Sequence, residues 1–156
     1  MIKIYSKKLL FVLLFVLAFG GCAPEQSVEP VAPKLTPKTR ELLRKEMVSI
    51  NDASQEIFSA LIAGDDVQVA LLAQQIHDSF ILKQSMTTED KAHLMTVAPK
   101  GFVEMDKRFH EISAELAQAA RAENRPLQQQ QFARMIKACS ACHALYGTDQ
   151  FPKFVK

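Results

Sequence analysis

The chain has 156 residues, 48% of them hydrophobic, with three cysteines and no tryptophan. That is enough for one domain whose core must be filled by Phe, Met and Leu. Taking away residues 1–21 removes three lysines and no acids, leaving 16 basic against 17 acidic residues. The remainder is near neutral, without the basic block that would suggest nucleic acid.

Residues 1–21 have the layout of a signal peptide. Lys3, Lys7 and Lys8 form a basic start, Leu9 to Phe19 an apolar core, and Gly20-Gly21 a small-residue site directly before Cys22. The apolar run is short of the roughly twenty residues that span a bilayer as a helix. A cysteine in this position resembles the lipobox of bacterial lipoproteins, although Phe19 stands where that box usually has Leu. The resemblance implies lipidation of Cys22, which would then be the new amino terminus and an anchor in a membrane. The alternative is a plain signal peptide cut nearby. With Ala23 rather than Asp after the cysteine, the outer membrane is the expected destination. Residues 22–36 are then a lipidated cysteine and a Pro-rich tether, which at about 3.1 Å per residue reaches roughly 40 Å.

Residues 37–150 read as helical throughout. Thr36 before Pro37 is a helix start, a capping hydroxyl followed by proline at the first helical position. Leu43, Met47, Ile50, Ser54, Ile57 and Leu61 form the first apolar stripe; Gly64 stops it, and Asp65 or Asp66 can cap the next helix. Val69, Leu72, Ala73, Ile76 and Phe80 form the second. A connection with a short turn at "TTEDKAHLM" runs to Pro99, and Phe102, Met105, Phe109, Ile112, Leu116 and Ala119 make the third. Pro126 opens a fourth helix, where Phe132, Met135, Ile136, Cys139, His143 and Tyr146 share a broad face. Four such stripes must be buried against one another, which predicts an all-α, antiparallel up-down four-helix bundle with a short tail at 151–156.

The last helix carries the chemistry, Cys139-Ser140-Ala141-Cys142-His143. A zinc site would need a second ligand pair, and His77, His93 and His110 are scattered singly. A thioredoxin-like pair belongs at a helix amino terminus in a βαβ unit, whereas this one lies deep in a helix. A structural disulfide is allowed by an exported location, but i and i+3 cysteines on a regular helix are poorly oriented for one. Haem accounts for all three residues: two thiols bond the vinyl groups and the adjacent imidazole ligates iron. Positions 139, 142 and 143 lie on one side of a helix, so all three converge on one porphyrin. The expected cofactor is one covalent haem c, attached through Cys139 and Cys142 with His143 as axial ligand.

An exported helical chain with its only "CSACH" near the carboxyl end resembles the cytochrome c′ family, the class II c-type cytochromes. The similarity covers roughly residues 38–147, with "CSACHALY" as its specific part. Two features depart from the family pattern: Gly147 follows Tyr146 where a basic residue is common, and the lipobox and tether are additions. The resemblance implies a periplasmic monohaem protein that passes single electrons to redox partner proteins, with a homodimer through the first two helices as an option. No carboxylate dyad, nucleophile triad or phosphate loop is visible, which reads against an enzyme.

Within the family the sixth iron position divides electron carriers, with a methionine from the first helix, from open sites that bind nitric oxide or carbon monoxide. Both draw the distal residue from the region that here reads "RKEMVSIN". Met47 is the expected second axial ligand, since a thioether is a soft ligand to iron, though Met also serves as plain core filler. Counting back from Gly64 by the family spacing lands nearer Val48, which would leave the iron open. His77 and His110 sit at stripe edges and are expected to be solvated or bonded to carboxylates, and His93 to be without a role.

Overall fold

Thr36 and Pro37 begin the first long helix. In the computed structural model, which describes residues 29–154, α1 spans Pro37–Ala63, and the Thr36 hydroxyl accepts from the Thr39 N–H at 3.1 Å. The expected signal peptide, Cys22 and the expected tether up to residue 28 lie outside the described residues. Gly64 ends α1 at φ 72°, donating to the carbonyls of Ala60 and Leu61; this left-handed conformation is costly for any residue with a Cβ. Asp65 accepts from Gln68 N–H and caps α2, Asp66–Asp78.

Six helices are present among the described residues where the stripes predict four. The connection at 81–99 folds into α3, Leu82–Ser85, and α4, Thr88–Val97. Its polar sequence hides a capping box: the Thr87 hydroxyl accepts from Asp90 N–H while the Asp90 carboxylate accepts from Thr87 N–H. The second stripe also stops earlier than expected. Ser79 takes φ 64°, so Phe80 falls beyond the end of α2. Pro99 precedes α5, Lys100–Arg121, and Asn124 caps α6, Arg125–Tyr146, with Pro126 in its first turn.

The long helices pack in chain order, α1 on α2, α2 on α5 and α5 on α6, while α1 and α6 meet only sparsely. The main core lies toward the Gly64 end, where Ile57, Val69, Ala73, Ile76, Leu116 and Ala117 are fully enclosed and Met135 nearly so. A smaller cluster at the opposite end joins Val31, Leu35 and Ala98 to Leu43, Leu94, Phe102 and Tyr146. Val31 and Leu35 belong to the Pro-rich segment, whose end is therefore packed on the helices and includes a short 3-10 turn at Ala32–Lys34. No helix among the described residues is long and apolar enough to cross a membrane.

Candidate functional site

Helical register decides which side chains can meet. Each residue turns the helix by about 100°, so Phe132, Ile136, Cys139 and His143 form one stripe along α6. Arg134, half a turn away, donates to Glu115 of α5 at 2.6 Å. Arg134 thus marks one edge of the α5 contact; Cys142, near Asp106 of α5, lies on the inward face with Met135, and Cys139 and His143 follow toward its other edge.

On α1 the same construction marks one flank. Lys38 pairs with Asp90 of α4 on one side of the helix. On the other side, Arg40 donates to the carbonyls of Ala32 at 2.9 Å, Leu35 at 3.2 Å and Pro33 at 3.3 Å. Val31, next to these residues, donates its N–H to the Tyr146 carbonyl at the end of α6, at 3.0 Å. The flank of α1 that carries Arg40 therefore borders the 31–35 segment, whose first residue meets the end of α6, and it repeats at Met47 and Phe58. α1 and α6 meet only sparsely, and Met47 and Phe58 of α1 and Ile136 of α6 lie at or beyond the edges of their helices' buried faces.

Burial agrees with a flank rather than a core position. Met47, expected on the core stripe, is 37% exposed because the inward position belongs to Glu46, and Ile136 is 55% exposed. Phe102, Met105, Phe109 and Phe132, also expected in the core, are only partly buried. Val48 is 48% exposed and lies about half a turn from the buried side of α1, pointing away from the helices.

Cys139 and Cys142 are free thiols, both partly buried on an uninterrupted helix. Burial pushes the Cys139 thiol above its usual range. Burial, with the Asp106 carboxyl and Cys139 adding to it, pushes Cys142 up to about 11. Both thiols are therefore held protonated, the reverse of the activated thiolate of an exchange site. Burial moves His143 the other way, below the ordinary imidazole range, so its ring is neutral near pH 7 with a lone pair free to ligate. Its ring stacks on Phe151, centroids 4.1 Å apart and planes 10° from parallel. Gly147 makes room for this: a Cβ there would lie 3.3 Å from the Phe151 ring and 3.4 Å from His143 Cα.

Three residues at this end carry no motif in the sequence. Glu46 is buried and accepts from the backbone N–H groups of Phe80 at 3.1 Å, Ile81, and Leu82 at 3.1 Å. Asp106 lines a small cleft of about 30 Å³ with Leu35, Thr39, Leu43, Leu82, Leu94 and Phe102. Desolvation raises its carboxyl pKa, with Glu46 adding to the rise and His110, whose Nε2 is 3.7 Å away, opposing it. Phe151 is the third, placed in the tail by sequence. Charge at 46 and 106 was invisible because each sits among apolar positions of its helix without a spacing that marks a site.

The other histidines have structural surroundings. His77 Nδ1 pairs with the His110 carbonyl at 3.0 Å and His110 Nδ1 with the Ile76 carbonyl at 2.7 Å, a reciprocal staple between α2 and α5. His93 lies in α4, and its buried Nε2 has no hydrogen-bond partner among the described residues. Among those residues no three His, Cys, Asp or Glu side chains gather closely enough to hold a metal ion. No protein-family model, curated protein or solved structure matches the chain.

Haem would fit the side chains that α6 presents. The group needs two thiols and one neutral imidazole on a single helix, and apolar side chains to cover its faces. Cys139, Cys142 and His143 supply the first, and the exposed Met47 and Ile136, with Phe132, supply the second.

Proposed function

We propose that this protein is an exported monohaem c-type cytochrome of the cytochrome c′ kind that carries single electrons. In this reading the four long helices act as the up-down bundle, and α3 and α4 elaborate the connection between the second and third. The observation that supports it most is on α6: thiols at 139 and 142 in no disulfide and an imidazole at 143, all partly buried on one side of a helix that packs only sparsely against α1. Haem supplies reversible one-electron chemistry at iron. Cys139 and Cys142 would hold it as thioethers and His143 would ligate iron, with Phe151, stacked on the His143 ring, keeping the plane of that ring. Met47 would be the candidate for the second ligand, because it lies nearer the buried face of α1 while Val48 points outward. That difference favours the carrier over the alternative, an open site for nitric oxide or carbon monoxide. The chain itself contributes binding and orientation, with no substrate chemistry.

The same reading places the protein on the periplasmic side, anchored through lipid at Cys22, with the outer membrane as destination. The partners are then a membrane and redox proteins, and a second copy could pair through α1 and α2.

The test is expression with a c-type maturation system. The protein should gain the mass of one haem and keep its colour through acid-acetone extraction, and Cys139→Ala with Cys142→Ala should abolish both. Colour that extracts from the wild type, or no colour, would overturn the reading.

A further inference from the structure

The residues just before α1 do more than join an anchor to a domain. Val31 is buried and tied to the Tyr146 carbonyl, Leu35 is buried beside Phe102 and Leu43, and Arg40 reaches back to three carbonyls of the segment. The chain therefore leaves the domain at one defined point, three residues past His143 along α6.

That point limits how the protein can stand on a membrane. From Cys22 to Val31 the chain can extend at most about 30 Å in any conformation. α1 starts beside Val31 and runs the length of the molecule to Gly64, about 40 Å at 1.5 Å per residue. With Cys22 held at a bilayer, the inverted arrangement, Gly64 end down, would put Val31 beyond the reach of its own chain.

Charge works in the same direction. No Lys or Arg lies between Lys45 and Lys83, while Asp52, Glu56 and Asp65 are exposed there; Arg121 and Arg125 sit against α2, the latter paired with Asp66, and that end still carries more acid than base to face anionic headgroups. The opposite end presents Lys34, Lys38, Arg40, Lys100 and Lys153. Glu29, Asp90 and Glu104 pair with three of these, leaving that end close to neutral.

We propose that the clasped segment 31–36 docks the protein upright on an anionic phospholipid surface, with the Tyr146 end of α6, and with it Cys139–His143, facing the bilayer. The proposal rests on the lipid anchor at Cys22 proposed above. It makes the membrane surface the place where the α6 motif is reached.

The full lipidated chain in vesicles of phosphatidylethanolamine and phosphatidylglycerol provides the test. Nitroxide labels go on Asp149→Cys at the motif end or Ala122→Cys at the far turn, both exposed positions, and a gadolinium-chelating lipid is added. Dipolar relaxation falls as the sixth power of distance, and α5 alone separates the two ends by about 30 Å. The gadolinium effect should therefore be several-fold larger at position 149 than at 122. Equal effects, or a larger one at 122, would overturn the orientation while leaving the anchor intact. Protein that fails to associate with vesicles at all would overturn both. A flexible Gly/Ser insertion of about 20 residues between Val28 and Glu29 lengthens the chain without touching the clasp. It should bring the two effects close together, and a preference that survives it unchanged would show that the short chain does not set the orientation.

Discussion

The two ends of the molecule are built differently. Toward Gly64, small residues let helices close on one another: Ala53, Ala60, Ala73, Ala117 and Ala120 are all buried, and Ile57, Ile76, Leu116 and Met135 fill what remains. Toward Tyr146, the apolar side chains are larger and mostly half-buried, Leu43, Phe102 and Met105 among them, and carboxylates at 46 and 106 sit between them. One end is finished by its own side chains. The other is held by polar contacts, the clasp at Arg40 and the three N–H groups on Glu46. Stability and proposed function therefore belong to different ends, and mutations should separate them.

The largest effect is expected at the closed end. Leu116→Ala removes a fully enclosed side chain and should cost about 2–5 kcal/mol in urea unfolding. Its haem content and spectrum in surviving protein should match wild type. A changed spectrum would mean that the two ends are coupled.

Glu46→Gln comes next. Gln keeps one acceptor oxygen but turns an amide N–H₂ toward the donors of residues 80–82, which should cost about 1–3 kcal/mol. The loss should appear as early exchange of the amides of Ile81 and Leu82, well before those of Ile76. Uniform exchange along both segments would show that Glu46 stabilises the whole fold rather than this corner.

Met47→Ala should be cheaper in the haem-free protein, below about 1 kcal/mol, because the side chain is only part buried. In the haem-loaded protein it should convert a low-spin spectrum to high-spin and speed carbon monoxide binding. A high-spin wild type would remove Met47 from the iron and favour gas binding.

The smallest effect is at the capping box of α4. The Lys38 ammonium and the Thr87 N–H lower the Asp90 carboxyl to about 2. A depressed folded-state pKa gives stability that is present above the unfolded value, near 4, and is lost as pH falls toward 2. The Tm difference between wild type and Asp90→Asn should thus be constant above pH ~5, shrink as pH falls toward ~2 and vanish only below it. A difference undiminished at pH ~2 would assign the cap to hydrogen bonding that does not need the charge.

The closed end was the more legible in sequence. Ile50, Ile57, Val69, Leu72, Ala73, Ile76, Ile112, Leu116, Ala119 and Met135 are buried as their stripes predict, and Thr36, Gly64, Asp65 and Pro126 mark helix boundaries. Periodicity works there because one apolar face meets another. At the motif end it misled: Met47 and Ile136 match the stripe yet lie on its edge, while the charged Glu46 takes the inward place. The partners that make this tolerable, three backbone N–H groups more than thirty residues away, leave no local signal. α4 was hidden because its apolar residues do not gather on one face, and Phe151 because stacking on His143 depends on the turn after α6. The motif itself was plain, yet Asp106 of α5 near Cys142 and the Val31 hydrogen bond at the end of α6 left no mark in the sequence.

The Val31–Tyr146 hydrogen bond also bears on the order of folding. It joins residues near the two extremes of the described chain, whereas α1–α2 and α5–α6 join neighbours through turns of a few residues. Closing the longest loop carries the largest entropy cost, and pairings this distant in sequence slow folding relative to local ones. The Gly64 end can assemble from hairpins in local steps, and the clasp closes after them. The Tyr146 end of α6 then stays open through most of folding and is closed only when the first described residues reach the last helix.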